Sequence, residues 1–75
     1  MLILYEDAVI NLNNVLFFYK QCDTEDDDHY IVFNCIGDRK YTFMFCSEKN
    51  RDFAFDEIIE SYDCKSKYLN LNEII

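Results

Sequence analysis

Short apolar runs, broken by acidic and asparagine-rich steps, make up the chain as far as Cys46, and a helical spacing of apolar positions takes over beyond it. Leu2–Tyr5 and Ala8–Leu12, separated by Glu6-Asp7, predict a small hairpin or a bent edge strand. Asn11, Asn13 and Asn14 then interrupt the pattern with a residue type that tolerates left-handed turn backbone. Val15–Cys22 predicts an aromatic-rich strand. It is closed by Asp23-Thr24-Glu25-Asp26-Asp27-Asp28, where five acids in six residues repel one another and stay solvated, as a loop tip does. His29–Ile36 predicts the next strand, Gly37-Asp38 a two-residue hairpin turn, and Arg39–Cys46 the returning strand.

Phe55, Ile58, Ile59 and Tyr62 recur at i, i+3, i+4 and i+7, the spacing of one buried helical stripe, with Ser47 or Asn50 as the N-cap. Asp52, Asp56, Glu60 and Asp63 fall on another face of the same helix. Tyr68–Ile75 carries too many apolar residues for a frayed tail and is expected to dock as an extended segment. The expectation is an α+β fold in a single domain over residues 1–75. It has an antiparallel sheet of about four strands, one helix after the last hairpin and an extended C-terminal segment. Because the last strand hands directly to the helix, Phe43, Phe45, Phe55, Ile58, Ile59 and Tyr62 are expected to share one core.

Register sharpens the picture. A two-residue turn at Gly37-Asp38 pairs residues whose numbers sum to 75, and closure of the acidic loop between Cys22 and His29 pairs those summing to 51. One face then carries Val15, Phe17, Tyr19, Tyr30, Val32, Ile36, Tyr41, Phe43 and Phe45. The other carries Leu16, Phe18, Ile31, Phe33, Cys35, Met44 and Cys46. Both faces are apolar, and one helix can cover only one of them. The second is closed by the N-terminal hairpin and the tail, or by another molecule, a homodimer partner included.

Composition narrows the function classes. Seven bases against 15 acids leave a net charge of −8 on 75 residues, which argues against direct nucleic-acid binding and for a basic protein partner. No run approaches the roughly 18 apolar residues of a membrane span. Met1-Leu2-Ile3-Leu4-Tyr5 has no positive leader and no small-residue cleavage site, so the expected location is cytoplasmic. Cys22, Cys35, Cys46 and Cys64 then read as reduced, buried thiols. Proline is absent and glycine occurs once, while Asn, Ile, Tyr, Phe and Asp abound, a usage that follows AT-rich codons.

Chemistry has little to stand on. The register sets Cys22, His29 and Cys46 side by side at the acidic end of the sheet, a weak candidate for a zinc site, since no CxxC or HxxxH element is present. The alternative is a cluster of reduced thiols capped by a half-exposed histidine. The acidic loop lacks the glycine and distal glutamate of a calcium-binding EF-hand. A Cys–His dyad needs an exposed, acidified thiol beside the one histidine, and each cysteine lies in or beside an apolar run. One glycine rules out a phosphate-cradling loop. The expectation is a non-enzymatic protein with no cofactor.

The order of strand, Ile10-Asn11-Leu12-Asn13-Asn14-Val15, charged loop, hairpin at Gly37-Asp38 and helix resembles small strand-meander-plus-helix proteins of low-GC bacteria and their phages. In size and acidity the chain is also similar in type to anti-CRISPR and related phage inhibitors, several of which act as acidic surfaces in the nucleic-acid groove of a nuclease complex. That likeness implies an inhibitor of a basic, nucleic-acid-handling complex, acting in the host cytoplasm. The contacts expected are Asp23, Glu25, Asp26, Asp27 and Asp28 on the loop and Asp52, Asp56, Glu60 and Asp63 on the helix. The competing expectation is a small structural or regulatory interaction domain that dimerises through its sheet, its acidity serving solubility alone.

Overall fold

A computed structural model describes residues 1–74; Ile75, the end of the expected extended tail, lies outside the described residues. The strands β1 (Leu2–Tyr5), β2 (Ala8–Asn11), β3 (Val15–Asp23), β4 (Asp28–Cys35) and β5 (Arg39–Phe45) precede the helix α1 (Glu48–Asp63), and β6 (Tyr68–Asn70) follows it. The class is α+β, as the periodicities predict. The single four-stranded sheet is not formed. Two three-stranded sheets take its place, in the orders β2-β1-β6 and β3-β4-β5.

The first sheet exists because the tail does more than lie on the body. β6 pairs in parallel with β1, Leu2 opposite Tyr68 and Leu4 opposite Asn70, so the two ends of the chain close one sheet. Backbone bonds from Leu2 N–H to the Lys67 carbonyl (2.9 Å) and from Leu71 N–H to the Leu4 carbonyl (2.8 Å) extend that pairing. Leu71 is fully buried beyond it.

In the second sheet the β3–β4 register is the one the acidic loop predicts. Cys22 lies opposite His29 and Phe18 opposite Phe33. A bulge at Leu16 breaks the alternation, which places Val15 opposite Cys35 and Phe17 opposite Asn34.

The β4–β5 register differs by one residue. His29 pairs with Phe45, Ile31 with Phe43 and Phe33 with Tyr41, so paired numbers sum to 74 rather than 75. The turn is the three residues Ile36-Gly37-Asp38, with positive φ at Gly37 (79°) and Asp38 (58°). A one-residue slip transfers every side chain of β5 to the other face. Here it carries Phe43 and Phe45 to the side of Ile31 and Phe33, where all four are buried, and puts Met44 on the opposite side. Burying two phenylalanines in place of one methionine outweighs leaving Ile36 exposed at the turn.

One core results. Ile3, Tyr5 and Ile10 from the first sheet meet Ile31, Phe33, Cys35, Phe43 and Phe45 from the second, with Ala54, Ile58 and Leu71 filling the remainder. Tyr5 lies 4.6 Å from Phe43 and 5.1 Å from Phe45 between ring centroids, and its hydroxyl donates to the Met44 carbonyl on β5. Burial raises the Tyr5 phenol above its ordinary pKa, with the nearby Glu6 charge adding to the effect.

Ser47 caps α1, its Oγ accepting from Asn50 N–H at 3.1 Å. The helix buries Arg51, Ala54 and Ile58. The expected stripe is therefore corrected: Ile58 is fully buried and Phe55 partly so, but Ile59 is 45% and Tyr62 62% exposed. Arg51 accounts for the rotation. Its guanidinium is held at 3.2 Å from the Gln21 carbonyl and at 2.9 Å from Asp52, so a charged residue shares the inward face with Ala54 and Ile58 and Ile59 is turned outward, while Tyr62 is exposed at the C-terminal end of the helix.

Candidate interaction surface

Helix, first sheet and tail all lie against the same face of the β3-β4-β5 sheet. The expected closure of the second face by the N-terminal hairpin and tail is thus corrected. Cross-strand pairing puts Phe17, Asn34 and Lys40 in one row of that open face, Tyr19, Val32 and Thr42 in the next, and Gln21, Tyr30 and Met44 in the third. Phe17 (57%) and Met44 (53%) are widely exposed, and the Phe17 and Tyr19 rings stack at 6.1 Å. Val32 is buried, but among these side chains and apart from the main core.

The acidic tip closes the fourth row, with Asp23 directly opposite Asp28. Asp23 Oδ1 accepts from Glu25 N–H at 3.0 Å and so shapes the turn, while Asp27 takes positive φ (54°). The Tyr30 hydroxyl donates to Asp28 Oδ2 at 3.0 Å, and that bond raises the Tyr30 phenol above its ordinary pKa. Asp27 lies 3.4 Å from His29 Nε2. Glu25 and Asp26 make no ion pair among the described residues. Opposed like charges weaken a hairpin, and Asn can keep the turn-shaping bond. Asp23→Asn should accordingly raise the thermal midpoint by about 2 °C, read by circular dichroism.

Asp52 stands apart from the other acids of its stripe. Arg51 donates to it through both Nε (3.1 Å) and Nη2 (2.9 Å), and Lys20 Nζ lies 3.2 Å away. The Arg51 hydrogen bond holds its carboxyl below the usual range against an opposing desolvation, and Lys20 adds to the lowering. A carboxyl depressed in the folded state adds stability above its unfolded pKa of about 3.9 and loses it as pH falls through the folded value. Asp52→Asn should therefore be less stable than the parent at pH 7. In denaturant titrations the gap should narrow below about pH 4. Asp56, Glu60 and Asp63 are exposed and enter no ion pair among the described residues.

Those contacts also orient the helix. Its first turns sit beside Lys20 and Gln21 at the tip end of β3, and its C-terminal half reaches Leu12, Val15 and Leu16 at the other end. There Ile58, Ile59 and Tyr62 form the helix wall of an apolar groove of about 420 Å³, with Leu12, Val15 and Leu16 opposite. Asp56 and Asp63 flank Ile59 at i−3 and i+4, and Glu60 follows it, so the unpaired acids form the helix rim of this groove.

Cys22 and His29 are neighbours, as the β3–β4 register predicts, and His29 is buried with its Nδ1 lacking a partner among the described residues. The candidate metal set is not assembled, however. The slip in β5 pairs His29 with Phe45 and leaves Cys46 exposed beyond the strand end; Cys22 and Cys64 are exposed as well, so of the four thiols expected to be buried only Cys35 is, and no group of three or more metal-binding side chains occurs among the described residues. No described helix is long and apolar enough to cross a membrane. The groove escaped the sequence reading because its walls come from three separate elements. The one signal for it was the apolar pair Ile59 and Tyr62, read as core. Comparison with protein-family models, curated proteins and solved structures found no match.

Proposed function

We propose that the chain is a non-enzymatic acidic binding protein that docks on a basic surface of a nucleic-acid-handling complex and blocks access of the nucleic acid. The observation that supports this reading is the number of acids left exposed and unpaired. Glu25 and Asp26 at the β3–β4 tip and Asp56, Glu60 and Asp63 on the helix are exposed and free of ion pairs among the described residues. Carboxylates left solvated steer a basic partner and raise its on-rate, with a salt dependence that reports the number of charges engaged. A second reading, a domain that dimerises through its sheet, is favoured by the exposed Phe17, Tyr19 and Met44 on the open face.

Pull-down from a low-GC bacterial lysate, followed by competition with guide RNA or target DNA for the recovered complex, tests the first reading. The parent chain should displace nucleic acid, more strongly at low salt. A variant with Asp23, Glu25, Asp26, Asp27 and Asp28 changed to Asn or Gln should do so weakly and with a flatter salt response. Equal displacement by parent and variant at every salt concentration rejects it in favour of the sheet-face interaction domain.

A further inference from the structure

We propose that the groove between the start of β3 and the C-terminal half of α1 is a receptor for an amphipathic helix of the partner, one with an apolar stripe and a flank of Lys or Arg. The inference rests on the acidic-binder reading and gives it a seat.

Three observations identify the occupant. The groove walls are large and apolar, and much of them is open: Leu16 is 67% exposed, Ile59 45% and Tyr62 62%. Its helix rim carries Asp56, Glu60 and Asp63, each without an ion pair among the described residues. No base among the described residues lines it: Lys20 is engaged with Asp52 and sits over the Phe55 ring at 5.0 Å, and Lys65 follows the helix. An apolar floor with an acidic rim is complementary to apolar side chains flanked by bases.

An extended peptide adding to the edge of β3 fits less well. Strand addition needs a regular row of free backbone groups, and the Leu16 bulge interrupts that row where the groove lies. Recognition there falls to side chains, which is how a groove receives a helix, through anchors at i, i+3 or i+4 and i+7. A second copy of the chain would bring its own net charge of −8 against the acidic rim.

The test uses the full chain, isotope-labelled, and three synthetic peptides of about 18 residues, long enough to hold a helix. One places Leu on a helical stripe with Lys beside it, the second replaces Lys with Glu, and the third has the first one's composition with the stripe scrambled. The first peptide should shift the amide resonances of Leu16, Ile59 and Tyr62. The other two should bind at least about tenfold more weakly, a difference of about 1.4 kcal/mol. Leu16→Ser with Ile59→Ser, both at exposed positions, should lower affinity by a similar factor, and Asp56→Asn with Glu60→Gln and Asp63→Asn should flatten the salt dependence. Equal binding of the striped and scrambled peptides, or shifts confined to residues 23–28, overturns the proposal. So does perturbation of the groove by raising the chain's own concentration, which would make its occupant a second copy. The loop-neutralised variant should bind the striped peptide as the parent does. Failure of nucleic-acid competition with that binding intact therefore rejects the blocking function and leaves the groove standing.

Discussion

Ile58→Ala should cost about 2–5 kcal/mol, and Ile59→Ala, one residue along the same helix, less than about 1 kcal/mol. Ile58 is fully buried in the core with Ala54, whereas Ile59 is 45% exposed on the groove wall. Removing the Ile58 side chain loses its transfer free energy and leaves a cavity that a sheet on one side and a helix on the other cannot close. Removing Ile59 shortens a wall that water already reaches. A domain of this size holds only about 3–5 kcal/mol from a single core, so Ile58→Ala should be largely unfolded while Ile59→Ala keeps its denaturation midpoint close to the parent's. Equilibrium urea unfolding of the two variants separates them. Equal losses would return the helix to the orientation that its apolar spacing suggests.

That contrast shows where local pattern stops being informative. Ser47 as N-cap, the helix after the last hairpin and the β3–β4 register follow from short-range chemistry: a hydroxyl that accepts from Asn50 N–H, and a charged loop that cannot be buried. The side of the helix that faces inward does not. It depends on Arg51 reaching the Gln21 carbonyl, a contact between residues 30 positions apart, and apolar spacing gives a charged residue no weight. The β5 register has the same character. Gly37-Asp38 satisfies a two-residue turn locally, and only the gain from burying Phe43 and Phe45 beside Ile31 and Phe33 selects the longer one. The parallel pairing of β1 with β6 joins the two ends of the chain and leaves no local trace. Among the candidate contact residues, Asp56, Glu60 and Asp63 were legible as solvated acids. The ion pairing of Asp52 was not, since Lys20 meets it only once the helix is docked.

Phe33→Ala is expected to be the most damaging single change, at about 3–5 kcal/mol, and Val32→Thr, its immediate neighbour, to cost at most the roughly 1–3 kcal/mol of a poorly paired hydroxyl. Both residues are almost fully buried, at 0% and 1% exposure, but on opposite faces of the central strand. Phe33 sits among aromatic rings, 5.5 Å from Phe18 and 5.0 Å from Phe43, with the helix and the first sheet against that face. Val32 is shielded by its cross-strand partners Tyr19 and Thr42, and no further layer of the described residues lies over it. A hydroxyl at position 32 can reach water at the cost of a small side-chain shift, which a hydroxyl in the main core could not do. Thermal and urea unfolding of the isolated chain should therefore rank the variants Phe33→Ala far below Val32→Thr. Were Val32→Thr as destabilised as a core lesion in the isolated chain, the open face would have to be covered in solution, with self-association through Phe17, Tyr19 and Met44 as the cause. Sedimentation of the parent at micromolar concentration then distinguishes that dimer from the 9.1 kDa species. The size of this one neutral substitution thus decides between a sheet face held in reserve for another molecule and one already satisfied by a second copy.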